Sequence, residues 1–144
     1  VQVQVEARCA GVLFTVHPLD PHAGTAYIEA NFGTGESVVG GLVTPDSFTL
    51  DRAGAGVIES VVARKRRMTS TAAGSGMLVD VDPACRDRPV LTDDEAMAIL
   101  ALGLRTEALF GGPQDVEWAF DDRSLWVLQA RPITTLPTRP GGAP

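Results

Sequence analysis

Cysteine is scarce in this sequence: Cys9 and Cys85 stand far apart, and neither has a second cysteine at metal-ligand spacing. That excludes a disulfide framework and a cysteine-based zinc site, and both are expected to be buried, reduced thiols. Basic residues are in deficit as well. Lys and Arg total 12 against 18 Asp and Glu, a formal charge of −6, which repels polyanions and argues against nucleic acid as a partner. No apolar run reaches the about 18 residues that a membrane-spanning helix requires, and no basic leader with an apolar core is recognisable. No membrane partner is expected, and the chain reads as soluble and cytoplasmic. Familiar catalytic frames are missing too. Gly33-x-Gly35 lacks the G-x-G-x-x-G spacing, no P-loop Gly-Lys-[Ser/Thr] occurs, and Ser37 stands outside any G-x-S-x-G frame.

What is present fits one loop-rich α/β or α+β domain: 144 residues, 44% hydrophobic and 21% charged, with 15 glycines and 10 prolines in no repeating period. The opening residues 1–6 already alternate as a strand does, as though the chain were entered mid-fold. Further strand-like runs cover 11–16, 25–30, 47–50, 56–62, 115–120 and 125–131, and the hairpin-like connections between them predict a mostly antiparallel sheet. Residues 64–89 read as largely exposed, with Arg64 to Arg67 a solvated basic turn. Thr92-Asp93-Asp94-Glu95 is a capping-box pattern. With apolar Ala96, Ile99, Leu100, Leu104 and Ala108 following at helical spacing, and Gly111-Gly112-Pro113 as a stop, it predicts one long helix over about 92–109. The Pro- and Gly-rich end, 137–144, reads as a linker or tail.

The last hairpin carries the chemistry. By parity Val116, Trp118 and Phe120 share an apolar face with Trp126, Leu128 and Ala130, leaving Asp115, Glu117, Gln129 and Arg131 on the other. A turn at 122–124 then sets Glu117 opposite Gln129 and Asp115 opposite Arg131. Two carboxylates, an amide oxygen and a guanidinium suit a magnesium-bound phosphate chain. Mg²⁺ takes hard oxygen ligands, and the planar guanidinium fork matches phosphate oxygens and offsets charge as a phosphoryl group moves. The same pattern also suits an ordinary solvent-facing strand pair joined by an Asp–Arg contact. The glycine loop Gly33-Thr34-Gly35-Glu36, taken alone, reads as a plain tight turn ahead of a phosphate-approaching backbone. His17, before Pro18, and His22, in a Pro/Asp/Gly loop, find no second ligand at metal spacing and read as structural and solvated, respectively.

Gln114-Asp115-Val116-Glu117-Trp118-Ala119 and Leu128-Gln129-Ala130-Arg131-Pro132-Ile133-Thr134-Thr135 resemble the end of the ATP-binding domain of the phosphoenolpyruvate synthase and pyruvate phosphate dikinase family. Rifampin phosphotransferases are similar. Gly11-Val12-Leu13-Phe14-Thr15, Gly33-Thr34-Gly35-Glu36 and Val38 to Asp46 resemble the family in the same order, so the likeness spans most of 1–136 and is weakest over about 50–90. Thr34 departs from the apolar residue usual in that glycine loop. The resemblance implies the C-terminal subdomain of an ATP-grasp nucleotide-binding domain, with ATP and Mg²⁺ as cofactors. It also implies partners not contained in this chain: an N-terminal subdomain bearing the phosphate-gripping basic residues, and a swivelling domain whose histidine receives the β-phosphoryl group of ATP. Carried over by motif, Glu117 and Gln129 bind ATP or its Mg²⁺, Asp115 adds a metal-side carboxylate, and Arg131 holds phosphate and is the catalytic residue. Gln2 and Glu36 contact the nucleotide. The alternative is a non-catalytic remnant that binds nucleotide or a partner protein, and a purely structural domain is a third reading.

Overall fold

A computed structural model describes residues 7–34, 44–70 and 77–133. The expected strand at 1–6, the loop residues 35–43 and the tail lie outside them. Six strands form one sheet, in the order β4-β3-β2-β1-β7-β8. They are β1 (Cys9–Phe14), β2 (Thr25–Phe32), β3 (Asp46–Asp51), β4 (Val57–Val61), β7 (Gln114–Phe120) and β8 (Leu125–Pro132). Every neighbouring pair is antiparallel. The single helix of the described residues, α1 (Asp93–Phe110), packs on one face, giving the mostly antiparallel α+β architecture expected.

Alternation decides which face is which. Cys9 and Leu13 of β1, Ala26, Ile28 and Ala30 of β2, Phe48 and Leu50 of β3, and Val116 and Trp118 of β7 point inward, and all are buried. Helix α1 covers them with Ala96, Ile99, Leu100 and Gly103. Ala108, expected on this stripe, is exposed instead, and the sequence reading missed Gly103. A Cβ at residue 103 would lie 2.1 Å from Leu13 Cδ2, so the missing side chain is what lets the helix approach β1 closely. The ends of α1 obey their local signals. Thr92 Oγ1 accepts from Glu95 N, Glu95 accepts from Thr92 N, and left-handed Gly111 closes the C-terminus.

The segment read as mostly exposed holds more structure than expected. Strands β5 (Arg67–Ser70) and β6 (Met77–Asp80) form a separate two-stranded sheet. Lys65, taken as part of a solvated basic turn, is fully buried. Its Nζ donates to Asp46 Oδ1 at 2.6 Å and to Ala63 O at 2.7 Å, and it lies 5.8 Å from the Phe32 ring centroid. Asp46 also accepts from Ala63 N and Val90 N, both at 2.8 Å, so one carboxylate ties β3 to the exit of β4 and to the approach to α1. Cysteine burial is divided: Cys9 is buried, its thiol pushed up to about 12 chiefly by desolvation, whereas Cys85 is only half-buried.

Removing one member of a fully buried ion pair leaves an uncompensated charge. Lys65→Met is therefore expected to destabilise the fold by about 3–5 kcal/mol, and Asp46→Asn added to Lys65→Met to recover part of that loss. Denaturant titration measures both. A loss below about 1 kcal/mol for the single variant would show that the pair does not hold the fold.

Candidate functional site

The outer face of the sheet, opposite α1, is where polar side chains converge. Strand β7 sends Asp115 and Glu117 outward between buried Gln114, Val116 and Trp118, and β8 places Arg131 opposite Asp115 and Gln129 opposite Glu117. The expected cross-strand pairs are present, but the route to them differs from the parity reading. Phe120 pairs with Leu125, Ala119 with Trp126 and Trp118 with Val127. Leu128 then has no partner, and the regular ladder resumes at Glu117–Gln129. The connection is therefore 121–124 rather than 122–124, and a bulge at Leu128 absorbs the surplus residue.

The correction falls on Trp126 and Leu128, which were expected in the core. Trp126 shares the outer face with Ala119, its indole Nε1 donates to Asp121 Oδ2 at 2.8 Å, and both Trp126 and Leu128 are exposed. Leu125 packs against the core instead. Asp121 organises the tip by accepting also from Arg123 N and Ser124 N, and these bonds, led by the one from Arg123, hold its carboxyl below the usual range. Asp side chains that bond backbone two residues on carry this signal in any sequence. The bulge had none, because the pattern of β8 tolerates either register.

On this face, Arg131 Nε lies 3.3 Å from Asp115 Oδ2, with Asp115 mostly covered and Arg131 largely exposed. The side chains of Glu117 and Gln129 have no hydrogen-bond or ion-pair partner among the described residues, so their oxygens are available to a ligand. Among the described residues no group of three or more His, Cys, Asp or Glu could hold a metal ion. Among the described residues, then, this face offers at most two carboxylates and an amide oxygen. That donor set fits Mg²⁺ only where phosphate oxygens and water complete the octahedron, the ordinary state of a nucleotide-bound magnesium.

The floor beside these groups is built by neighbouring strands in register. Val12 lies between Glu117 and Glu29, and Phe14 between Asp115 and Tyr27. At one end of this face Asn31 Nδ2 donates to Arg67 O at 2.9 Å, which brings β5 against β2. Gly33 bridges to Thr69 there, and Thr34 N donates to Thr69 O at 2.8 Å. Gly33 has φ of 78°, and a Cβ would meet Thr69 O at 2.2 Å, so the described half of the glycine loop needs glycine to pack on β5. Gln2 and Glu36 lie outside the described residues.

Other candidates resolve as structural. The His17 ring lies 4.8 Å from that of Tyr27 in a tilted contact, and its Nδ1 accepts from Leu19 N. His22 is exposed. One polar cluster went unread in the sequence. Arg52, at the β3–β4 turn, donates to Thr15 O and pairs with Glu107 at 2.6 Å, while Thr15 Oγ1 accepts from Gln114 N at 2.8 Å. It fastens α1 and the start of β7, beneath the site.

A profile of the family described as pyruvate phosphate dikinase, AMP/ATP-binding domain, matches residues 1–143. Among curated proteins, the chain is 43% identical to a rifampicin phosphotransferase of Streptomyces sp. over 94% of its own length and 16% of the relative's. It is 41% identical to a probable phosphoenolpyruvate synthase of Methanothermobacter thermautotrophicus, over 94% of this chain and 20% of that protein. It is 39% identical to the prodigiosin synthesizing transferase PigC of Serratia marcescens, over 94% and 15%. The chain thus spans between about a seventh and a fifth of the length of these relatives.

Because Arg131 is exposed, its contact with Asp115 should contribute little to folding. A double-mutant cycle with Asp115→Asn and Arg131→Met is expected to give a coupling energy of no more than about 1 kcal/mol in the absence of ligand. A coupling of several kcal/mol would mark the pair as structural.

Proposed function

The chain belongs to the pyruvate phosphate dikinase AMP/ATP-binding family, and on that premise we propose that it forms one wall of an ATP-grasp cleft in a dikinase-type phosphotransferase. In this reading residues 1–136 are the C-terminal subdomain, and residues 137–144 a linker or tail. The observation that carries it is the convergence of Asp115, Glu117, Gln129 and Arg131 on one open sheet face, with Glu117 and Gln129 unpartnered among the described residues. Relatives named for different products share this segment at 39–43% identity, as expected if it serves a step common to them.

Glu117 and Gln129 hold the nucleotide through its Mg²⁺, and Asp115 adds a carboxylate on the metal side while keeping Arg131 in place. Bound Mg²⁺ would neutralise phosphate charge. Arg131, held loosely enough to turn to a ligand, presents its planar fork to the phosphoryl oxygens and offsets the charge that develops as the β-phosphoryl group passes to a histidine on a separate swivelling domain, AMP leaving from its α side and the γ-phosphoryl group going to water as phosphate. Gln2 and Glu36 supply further nucleotide contacts. Catalysis in such a site is positioning plus charge neutralisation, so this wall by itself binds nucleotide without turnover, and an N-terminal subdomain must complete the cleft.

Calorimetry on the full chain is expected to show MgATP binding that Glu117→Gln weakens about ten-fold or more. In a longer protein restoring the N-terminal subdomain, Arg131→Met is expected to slow AMP release by about 10²–10³-fold, with a smaller change in MgATP affinity. Unaltered behaviour of both variants would reject these roles. Binding without AMP release in the longer protein would identify the non-catalytic remnant instead.

A further inference from the structure

The outer face carries a second concavity, across β2, β3 and β4, on the far side of Val12 and Phe14 from the site above. It is a hollow of about 410 Å³. Its floor is set by two cross-strand rows: Val61, Ser47 and Glu29 lie in one register line, and Glu59, Thr49 and Tyr27 in the next. His17, in the loop that follows β1, packs its ring at a tilt against Tyr27.

The chemistry of this hollow is one-sided. Glu29 is half-buried and desolvation raises its carboxyl above the ordinary value, yet among the described residues it has neither a hydrogen bond nor an ion pair. Lys and Arg are absent from the lining, whereas Glu59 adds a second carboxylate and Ser47 and Thr49 add hydroxyls. Glu29 and Glu59 stand two strands apart, about 10 Å by strand spacing, too far to share one metal ion. Apolar side chains border the two carboxylates, with Leu19 85% exposed in the loop after β1 and Val61 53% exposed where its row ends on the edge strand β4.

A desolvated carboxylate without a cation, beside the Thr49 hydroxyl and a Ser47 hydroxyl already hydrogen-bonded to Tyr27, selects a donor-rich cation, and a guanidinium offers donors in several directions at once. An apolar border that can exclude water around such a contact is the anatomy of a protein-binding anchor pocket. We propose that this hollow docks an arginine side chain presented by a polypeptide partner, with the neighbouring residues of that segment resting on Leu19 and Val61. The net charge of −6 favours approach of a basic segment. This inference does not depend on nucleotide binding, since none of the residues it uses belongs to the Glu117 and Arg131 set.

The test is titration of the full, ¹⁵N-labelled chain with the peptide acetyl-Leu-Arg-Leu-amide, followed by amide shifts. Saturable shifts are expected at Glu29, Ser47 and Glu59. Replacing arginine by its neutral isostere citrulline, or introducing Glu29→Gln with Glu59→Gln, is expected to weaken binding by about ten-fold or more. Glu29→Lys with Glu59→Lys should instead favour acetyl-Leu-Glu-Leu-amide, a gain that a misfolded variant could not show. Equal binding of the citrulline peptide, or shifts confined to other strands, would overturn the proposal. So would free arginine amide binding as tightly as the peptide, which would make this a small-molecule cation site.

Discussion

The buried pairing of Asp46 with Lys65 is the constraint on which the arrangement of this domain rests. One carboxylate receives the lysine ammonium and two backbone N–H groups, and in doing so joins the start of β3, the exit of β4 and the chain entering α1. Such a pair costs desolvation on both sides and survives only where its remaining hydrogen bonds are supplied, as they are here by Ala63 and Val90. Its consequence is directional. With the approach to the helix fixed at that point, α1 lies across the inner face of the sheet, and the outer face is left to polar chemistry.

Local signals were legible wherever chemistry and pattern act over a few residues. The capping box at Thr92–Glu95 placed the start of the helix, and alternation in β7 separated Asp115 and Glu117 from Val116 and Trp118. The pairing of Glu117 with Gln129 and of Asp115 with Arg131 followed from parity. The Leu128 bulge was not legible. Trp126 and Leu128 satisfy an apolar pattern in either register, and only the Asp121 bonds to the turn and to the indole decide which face the tip takes.

Long-range electrostatics was hidden for a different reason. Lys65 sits among arginines, and composition assigns such a run to water; its partner Asp46 is distant in sequence, so no local pattern reveals the burial. Arg52 and Glu107 form another such pair, joining the β3–β4 turn to the last turns of α1. Gly103 escaped notice because a missing side chain leaves no mark in a hydrophobic periodicity, although it is what admits Leu13 beneath the helix. The roles of the outer-face residues rest on residue type and grouping, which is why the family likeness carried more of that reading than any spacing did.

The irregularity in β8 uncouples the hairpin's end from its base. Above Leu128 the ladder answers to the indole and the aspartate at the tip, and below it to the pairing of β7 with β1. Because an unpaired residue separates the two halves, excising it would merge them into one even ladder without turning any lower side chain over. The domain can therefore accept loss of one residue at that position, or remodelling of the outer loop, while the polar row beneath keeps its orientation.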